Sequence, residues 1–129
     1  MKTREELESI ATNLVDAALH VHRELGPGLL ESAYRLCFTH ELRLRGLQVG
    51  NEVPQPVRYR GILIEVGYRL DTLIEDSVIV ESKSVQTILP IHEAQLLTYL
   101  KLSGNKLGFL INWNVVLIKN GIKRMVNDL

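Results

Sequence analysis

Apolar residues recur at helical spacing in the first third of the chain and predict two helices. Thr3 and Glu6 have the spacing of a capping box, so the first helix is expected to begin near Arg4. The segment Leu25-Gly26-Pro27-Gly28 is a tight turn that ends this helix. A second helix is then predicted over residues 29–45. The first helix shows one apolar face, which comprises Leu7, Ile10, Ala11, Leu14, Val15, Ala18 and Val21.

From residue 47 onward the pattern changes to strands separated by turns. Pro54 and Pro56 predict a broken edge strand over residues 47–57. Further strands are predicted over residues 57–59, 62–70 and 78–85, around turns at Arg60-Gly61 and residues 75–77.

The last third of the chain is predicted to form a helix, a strand and a hairpin. A helix over residues 90–102 begins with a proline, and residues 107–113 form an apolar strand that we expect to be buried centrally. Asn120-Gly121 favours a type I′ turn between strands 115–118 and 122–126. This order predicts an α/β fold in which a mixed β-sheet is flanked by helices. The length of 129 residues fits one domain over residues 1–129.

Charged residues interrupt the apolar pattern in the strand pair around residues 71–83. Glu81 and Lys83 are two residues apart and therefore leave the same face of a strand. A three-residue turn pairs Ile74 with Val78 and brings Asp71 opposite Glu81, whereas a two-residue turn would move Asp71 to the other face. We predict the three-residue register. Charge gathered inside a sheet is costly, which favours a bound cation or phosphate there.

The carboxylates of Asp71 and Glu81, with Glu31 added from the second helix, suit one hard divalent ion such as Mg²⁺. Histidine and cysteine clusters with the spacing of a zinc site are missing. Lys83 beside such an ion can hold an attacking water or stabilise negative charge on a phosphate. Spacing alone equally allows surface ion pairs across a hairpin.

Other polar residues admit both functional and structural interpretations. Gln95 and Tyr99 are one turn apart on the third helix and either face a cleft or are half-exposed. His22, near the end of the first helix, is expected to act as a helix cap. Cys37 lies on an apolar helical face and is expected in the core. Five arginines form either a basic rim for a phosphate backbone or a scattered, solvated set: Arg43, Arg45, Arg58, Arg60 and Arg69.

The overall charge and the single cysteine limit the expected binding partners and the expected cellular compartment. Fifteen basic and fifteen acidic side chains give a net charge of zero, which argues against broad charge-driven binding of nucleic acid but allows a local basic patch. One cysteine excludes an intrachain disulfide and suits a reducing compartment. No apolar run approaches the ~20 residues that cross a bilayer, and the N-terminus does not have a signal-peptide pattern. We therefore expect a cytoplasmic protein without a membrane partner.

Gly28, Glu31 and Tyr34 together read Gly-x-x-Glu-x-x-Tyr. Further motifs follow in order across most of the chain, and in all of them the chain resembles the GxxExxY protein family of the PD-(D/E)xK nuclease-like superfamily. These motifs are Val21-His22, Leu25 to Gly28, Asp71, Glu81-Ser82-Lys83, Gln95 with Tyr99, and Gly108 to Asn112.

The resemblance implies a restriction-endonuclease-like core of a helix, three or four mixed strands and a helix. It implies that Glu31 is the helix carboxylate, that Asp71 is the central metal ligand, and that Glu81 and Lys83 are the Glu-x-Lys pair. Gln95 and Tyr99 fall on the Gln-x-x-x-Tyr motif of the exonuclease-like branch. His22 and Tyr34 fall on family motif positions and are candidate accessory residues.

The function that follows is a nuclease that depends on Mg²⁺ or Mn²⁺ and hydrolyses phosphodiester bonds of DNA or RNA. Nucleic acid is then the expected partner, and a homo-oligomer is left open. The alternative is a non-catalytic binding or assembly module that retains the nuclease-like fold. A metal-dependent hydrolase of a small phosphorylated compound is a third interpretation.

Overall fold

The computed structural model describes all 129 residues of the chain. Its elements follow in the order α1 (Arg4–Leu25), α2 (Glu31–Leu44), β1 (Val49–Pro54), β2 (Val57–Tyr59), β3 (Ile62–Ile64), β4 (Arg69–Ile74), β5 (Val78–Lys83), α3 (Pro90–Ser103), β6 (Leu107–Asn112), a 3₁₀ turn (Ile118–Asn120) and β7 (Ile122–Val126). The three predicted helices are present within two residues of their expected bounds. None of them is both long and apolar enough to cross a membrane.

Five strands form a mixed sheet in the order β1-β4-β5-β6-β7. Strands β5 and β6 run parallel, because α3 connects them, and the other neighbouring pairs are antiparallel. Strands β2 and β3 pair only with each other and form a separate hairpin between β1 and β4. The predicted mixed sheet flanked by helices is confirmed.

The side chains of β5 and β6 alternate between two hydrophobic clusters, because successive residues of a strand point to opposite faces. Val80 packs in the larger cluster with Leu14 of α1 and Phe38 of α2. Ile79 packs on the other face, with Leu96 and three further leucines, in the cluster that α3 covers. All six residues of β6 are buried, as predicted for an internal strand covered on both faces.

The predicted capping box closes the start of α1. The Thr3 N–H donates to Glu6 Oε1 at 2.9 Å, and the Glu6 N–H donates to Thr3 Oγ1 at 3.1 Å. Two of the first orphan donors of the helix are therefore satisfied.

The predicted strand over residues 62–70 is wrong in its middle. Strand β3 ends at Ile64 and β4 begins at Arg69, with residues 65–68 outside any ladder. Gly67 lies in this segment with φ of 84°, a left-handed conformation that interrupts a strand.

The predicted C-terminal hairpin is also wrong. Residues 115–118 do not form a strand, and β7 pairs antiparallel with β6 instead. Gly121 has φ of −102°, so Asn120-Gly121 does not form a type I′ turn. A side chain at Gly121 would collide with the carbonyl oxygen of Asn112. The backbone N–H of Asn112 donates to the Gly121 carbonyl at 2.8 Å. The glycine therefore serves a close backbone approach rather than a hairpin turn.

Cys37 is exposed, contrary to the prediction that it lies in the core. The buried face of α2 is carried by Tyr34, Phe38 and Leu42, which are four residues apart. Cys37 is displaced by about 100° around the helix from Phe38, so it turns away from the sheet.

Candidate active site

The hairpin of β4 and β5 has the predicted register. Ile74 pairs with Val78, and the pairing continues to Thr72 with Val80. Glu75 and Asp76 adopt left-handed conformations in the connecting turn, and the Ser77 N–H donates to the Ile74 carbonyl at 2.9 Å. One step further along this register, Asp71 lies opposite Glu81.

Two hydrogen bonds link Asp71 and Glu81 across the strands. The Asp71 N–H donates to Glu81 Oε2 at 2.8 Å, and the Ser82 N–H donates to Asp71 Oδ2 at 3.0 Å. Each carboxylate therefore accepts a backbone N–H of the opposite strand. The other oxygen of each carboxylate has no hydrogen-bond partner in the protein.

Burial makes this pair of carboxylates difficult to ionise. Glu81 is only 4% exposed. Burial, and then the neighbouring charge of Asp71, raises the pKa of Glu81 to about 8. Burial also raises the pKa of Asp71, against the opposing effects of the Ser82 N–H and Lys83. Neither carboxylate forms a salt bridge, so their negative charge is not neutralised by a contacting side chain.

Glu31, in the first turn of α2, interacts electrostatically with this pair, but the three carboxylates do not form a group that could hold a metal ion by themselves. Ser84 Oγ donates to the Leu29 carbonyl at 2.9 Å and thereby ties the end of β5 to the start of that helix. Burial raises the pKa of Glu31, and the positive charge of Lys83 opposes that increase. Lys83 thus influences all three carboxyl groups, although it forms no salt bridge with them.

Tyr34 organises the turn that leads to Glu31. Its hydroxyl donates to the Gly26 carbonyl and accepts the Leu29 N–H at 3.1 Å. Gly26 and Gly28 both have positive φ in this turn, at 68° and 101°, which explains why glycine occurs at both positions. Tyr34 is fully buried, and both hydrogen bonds of its hydroxyl are made within the turn that precedes Glu31.

His22 is a buried residue and not a helix cap, which corrects the expectation from sequence. Its Nε2 donates to the Trp113 carbonyl at 3.1 Å. The end of α1 is instead closed by the Gly26 N–H, which donates to the His22 carbonyl. Trp113 stacks on Tyr34, with ring centroids 5.2 Å apart. His22 and Tyr34 therefore meet at one tryptophan beneath the site.

Gln95 and Tyr99 are hydrogen-bonded to each other on α3. Gln95 Nε2 donates to Tyr99 Oη at 3.3 Å. Gln95 is exposed, whereas Tyr99 is buried. Burial, followed by the charges of Glu81, Tyr68 and Asp71, raises the pKa of the Tyr99 hydroxyl.

Two charged residues near the site were missed by sequence reasoning. Arg35 Nη1 lies 3.7 Å from Glu52 Oε1, and the buried Arg35 Nε has no hydrogen-bond partner. Glu52 has φ of 48°. It lies in β1 opposite Asp71, between the pairs Asn51–Thr72 and Val53–Leu70. Both charges act on the pKa of Asp71. The four-residue spacing from Glu31 to Arg35 was the one available signal.

The residues fit a divalent ion in an open site rather than a complete cage. No three His, Cys, Asp or Glu side chains form a group that could hold a metal ion by themselves. Mg²⁺ accepts such a site, because it commonly binds one or two carboxylates and completes its shell with water and substrate oxygens. Asp71 and Glu81 each offer an oxygen that no protein group occupies.

Comparison with protein families agrees with this arrangement. The sequence model of the PD-(D/E)XK nuclease superfamily matches residues 8–125. The chain therefore belongs to the PD-(D/E)XK nuclease superfamily, as its motifs had indicated. Nucleases of this superfamily typically use divalent metals. Comparisons with curated proteins and with solved structures found no match.

Proposed function

We propose that this protein hydrolyses phosphodiester bonds of DNA or RNA with the help of Mg²⁺ or Mn²⁺. The observation that carries the proposal is the pair formed by Asp71 and Glu81, two largely buried carboxylates held side by side without a salt bridge. The motif Gly-x-x-Glu-x-x-Tyr at Gly28 to Tyr34 supports placing the chain in the GxxExxY branch of the superfamily.

Asp71 and Glu81 would hold the ion through their unoccupied oxygens, and Glu31 would add a direct or water-mediated ligand. A bound divalent ion supplies a more acidic water and neutralises charge on the phosphate. The carboxylates have no contacting cation in the protein, and a divalent ion would offset their mutual repulsion.

Lys83 lies on the same strand face as Glu81 and would hold the attacking water or a phosphate oxygen. In the reaction the water oxygen bonds to phosphorus and releases a proton to solvent, the bond from phosphorus to the leaving oxygen breaks, and the leaving oxygen takes a proton from solvent. Gln95 and Tyr99 would orient the substrate or the lysine from α3. The hydrogen bond of Gln95 to Tyr99 and the electrostatic effect of Glu81 on Tyr99 support this role.

A polymeric substrate fits the surface better than a small phosphorylated compound. Small ligands are usually enclosed in clefts that bury most of their surface. Clefts of about 320, 420 and 480 Å³ occur in this fold, but none of them is lined by Asp71, Glu81 or Lys83.

The test is cleavage of labelled single- and double-stranded DNA and RNA with Mg²⁺, Mn²⁺ or a chelator. Asp71→Asn and Lys83→Ala are expected to abolish cleavage. Asp76→Asn is the matched control, because Asp76 is an exposed carboxylate in the turn of the same hairpin.

Cleavage that survives undiminished in both Asp71→Asn and Lys83→Ala would overturn the assignment of the site. Absence of cleavage with every substrate, together with absence of Mn²⁺ binding in calorimetry, would favour the non-catalytic assembly module.

A further inference from the structure

The hairpin of β2 and β3 stands apart from the sheet and exposes apolar side chains. Together with the segment that leads to β4 and the first residue of β4, it is defined here as the arginine–tyrosine hairpin, residues 57–69. Tyr59, Ile62 and Leu63 are 61%, 62% and 53% exposed. An isolated two-stranded hairpin is marginally stable in water. Contiguous exposed apolar side chains are typical of binding surfaces, so this hairpin is expected to contact a ligand.

Charge identifies the class of ligand. The arginine–tyrosine hairpin contains three arginines and one glutamate, which gives a formal charge of +2 in a chain whose net charge is zero. Arg58, Arg60 and Arg69 are all exposed and form no salt bridge. Such a local surplus complements a polyanion.

Of the five arginines considered as a basic rim, two are engaged with other groups of the protein, and the three arginines of the hairpin are not. Arg45 binds Asp16 and Glu41, at 2.8 and 2.9 Å. Arg43 donates to the Val49 carbonyl at 2.8 Å.

Exposed aromatic rings accompany these arginines. Tyr59 pairs across the hairpin with Ile62, and the Arg60 guanidinium carbon lies 5.8 Å from the centre of the Tyr59 ring. Aromatic rings beside arginines form a platform on which unpaired bases stack, whereas a duplex hides its base faces. The chemistry therefore favours a single strand.

The hairpin leads directly into the candidate active site. Its last residue, Arg69, is two residues before Asp71. The rings of Tyr68 and Tyr99 lie 6.1 Å apart, and the Gln55 N–H donates to the Tyr68 carbonyl at 2.8 Å to fix the base of the hairpin. A strand bound along the hairpin would thus reach the carboxylate pair.

We propose that the arginine–tyrosine hairpin binds single-stranded nucleic acid, with Arg58 and Arg60 contacting phosphates and Tyr59 stacking on a base, and delivers the strand to Asp71 and Glu81. This inference rests on the proposed nuclease function, because that function supplies the reason for a nucleic-acid ligand.

The test measures binding without cleavage. Fluorescein-labelled single-stranded DNA and RNA of about 15 nucleotides, and a duplex of the same sequence, are titrated with the full chain in chelator. Fluorescence anisotropy is recorded at several salt concentrations. Circular dichroism checks that each variant is folded.

Two hairpin variants are compared with one charge-matched control. The double substitution R58E/R60E is expected to weaken single-strand binding at least tenfold and to reduce the salt slope by about 1.4, since each phosphate contact contributes about 0.7. Tyr59→Ala is expected to weaken it about fivefold or more. The control R4E/K101E also replaces two exposed basic residues, at the start of α1 and near the end of α3, and is expected to change binding less than threefold.

Equal binding of wild type and R58E/R60E would overturn the proposal, as would a preference for the duplex. A chain that binds no nucleic acid, but forms a dimer that Tyr59→Ala or Ile62→Asp dissociates in light scattering, would overturn it in favour of a protein interface.

The two proposals fail in distinguishable ways. Hairpin-dependent binding without metal-dependent cleavage would refute only the nuclease function. Cleavage with hairpin-independent binding would refute only the role of the hairpin.

Discussion

The indole Nε1 of Trp113 donates to Ser82 Oγ at 3.1 Å, on the reverse side of the strand that carries Glu81 and Lys83. The backbone N–H of Trp113 also donates to the Lys83 carbonyl at 2.9 Å. Because strand side chains alternate, Ser82 faces the core while its two neighbours face the site. The tryptophan therefore fixes the strand at the residue between the two site residues.

We predict that this hydrogen bond contributes to stability in a way that depends on both partners. Ser82→Ala leaves the buried indole N–H without an acceptor and is expected to cost about 1–3 kcal/mol. Trp113→Phe removes the donor together with part of the packing, and the double variant is expected to cost about 1 kcal/mol less than the sum of the single ones. Urea unfolding of the four proteins measures this. Simple additivity would show that the two side chains do not interact.

Glu81 makes the metal-free protein less stable as pH rises. The folded protein holds the Glu81 proton up to a pKa of about 8, whereas the unfolded chain releases it near 4.5. The folded state thus binds more protons between these values, and the free energy of unfolding falls as pH increases through that window. At pH 8 the free energy of unfolding of Glu81→Gln is expected to exceed that of wild type by about 2 kcal/mol or more, since one pKa unit corresponds to about 1.4 kcal/mol. At pH 5 the two free energies of unfolding should differ little.

Denaturant unfolding in chelator at pH 5 and pH 8 measures this difference. Glu65→Gln, at an exposed position, is the control, and its free energy of unfolding should equal that of wild type at both pH values. A Glu81→Gln variant less stable than wild type at pH 8 would contradict the burial of an unneutralised carboxylate.

Divalent ions are expected to stabilise the protein more at pH 8 than at pH 6. Ion binding requires ionised carboxyl groups, and the raised pKa values of Asp71 and Glu81 make protons compete with the metal. Mn²⁺ at 100 times its Kd should add about 2.7 kcal/mol to the free energy of unfolding. Thermal unfolding with and without Mn²⁺ provides the measurement. Mn²⁺ should no longer stabilise Asp71→Asn, whereas it should still stabilise Asp76→Asn. An equal Mn²⁺-induced shift of the unfolding temperature in both variants would show that the ion binds elsewhere.

Tyr34→Phe is expected to destabilise the protein by about 1–3 kcal/mol. The substitution keeps the ring on Trp113 but leaves the Leu29 N–H and the Gly26 carbonyl without their partner. Because these groups lie in the turn before Glu31, Mn²⁺ affinity should also fall in calorimetry. Tyr59→Phe, on the exposed hairpin, is the control. An unchanged unfolding midpoint in Tyr34→Phe would show that the turn does not depend on this hydroxyl.

Much of the fold could be predicted because its determinants are local. The capping box of Thr3 and Glu6, the apolar period of α1 and the proline that begins α3 all act within a few residues. The two wrong predictions of secondary structure concern glycines whose signal has more than one structural meaning. Glycine is required at position 121 because the carbonyl oxygen of Asn112, nine positions earlier, lies too close for a side chain. A turn motif contains no information about that contact.

By itself the sequence determined the alternation that puts Glu81 and Lys83 on one strand face, and it predicted that Asp71 lies opposite Glu81 if the turn has three residues; the pairing of Ile74 with Val78 confirms that register. Only the tertiary structure decided what surrounds that pair. The electrostatic interaction of Glu31 with Asp71, the ion pair of Arg35 with Glu52 and the hydrogen bond from Trp113 to Ser82 all join residues that are distant along the chain. Local periodicity cannot specify such contacts, because they depend on how whole helices pack against the sheet.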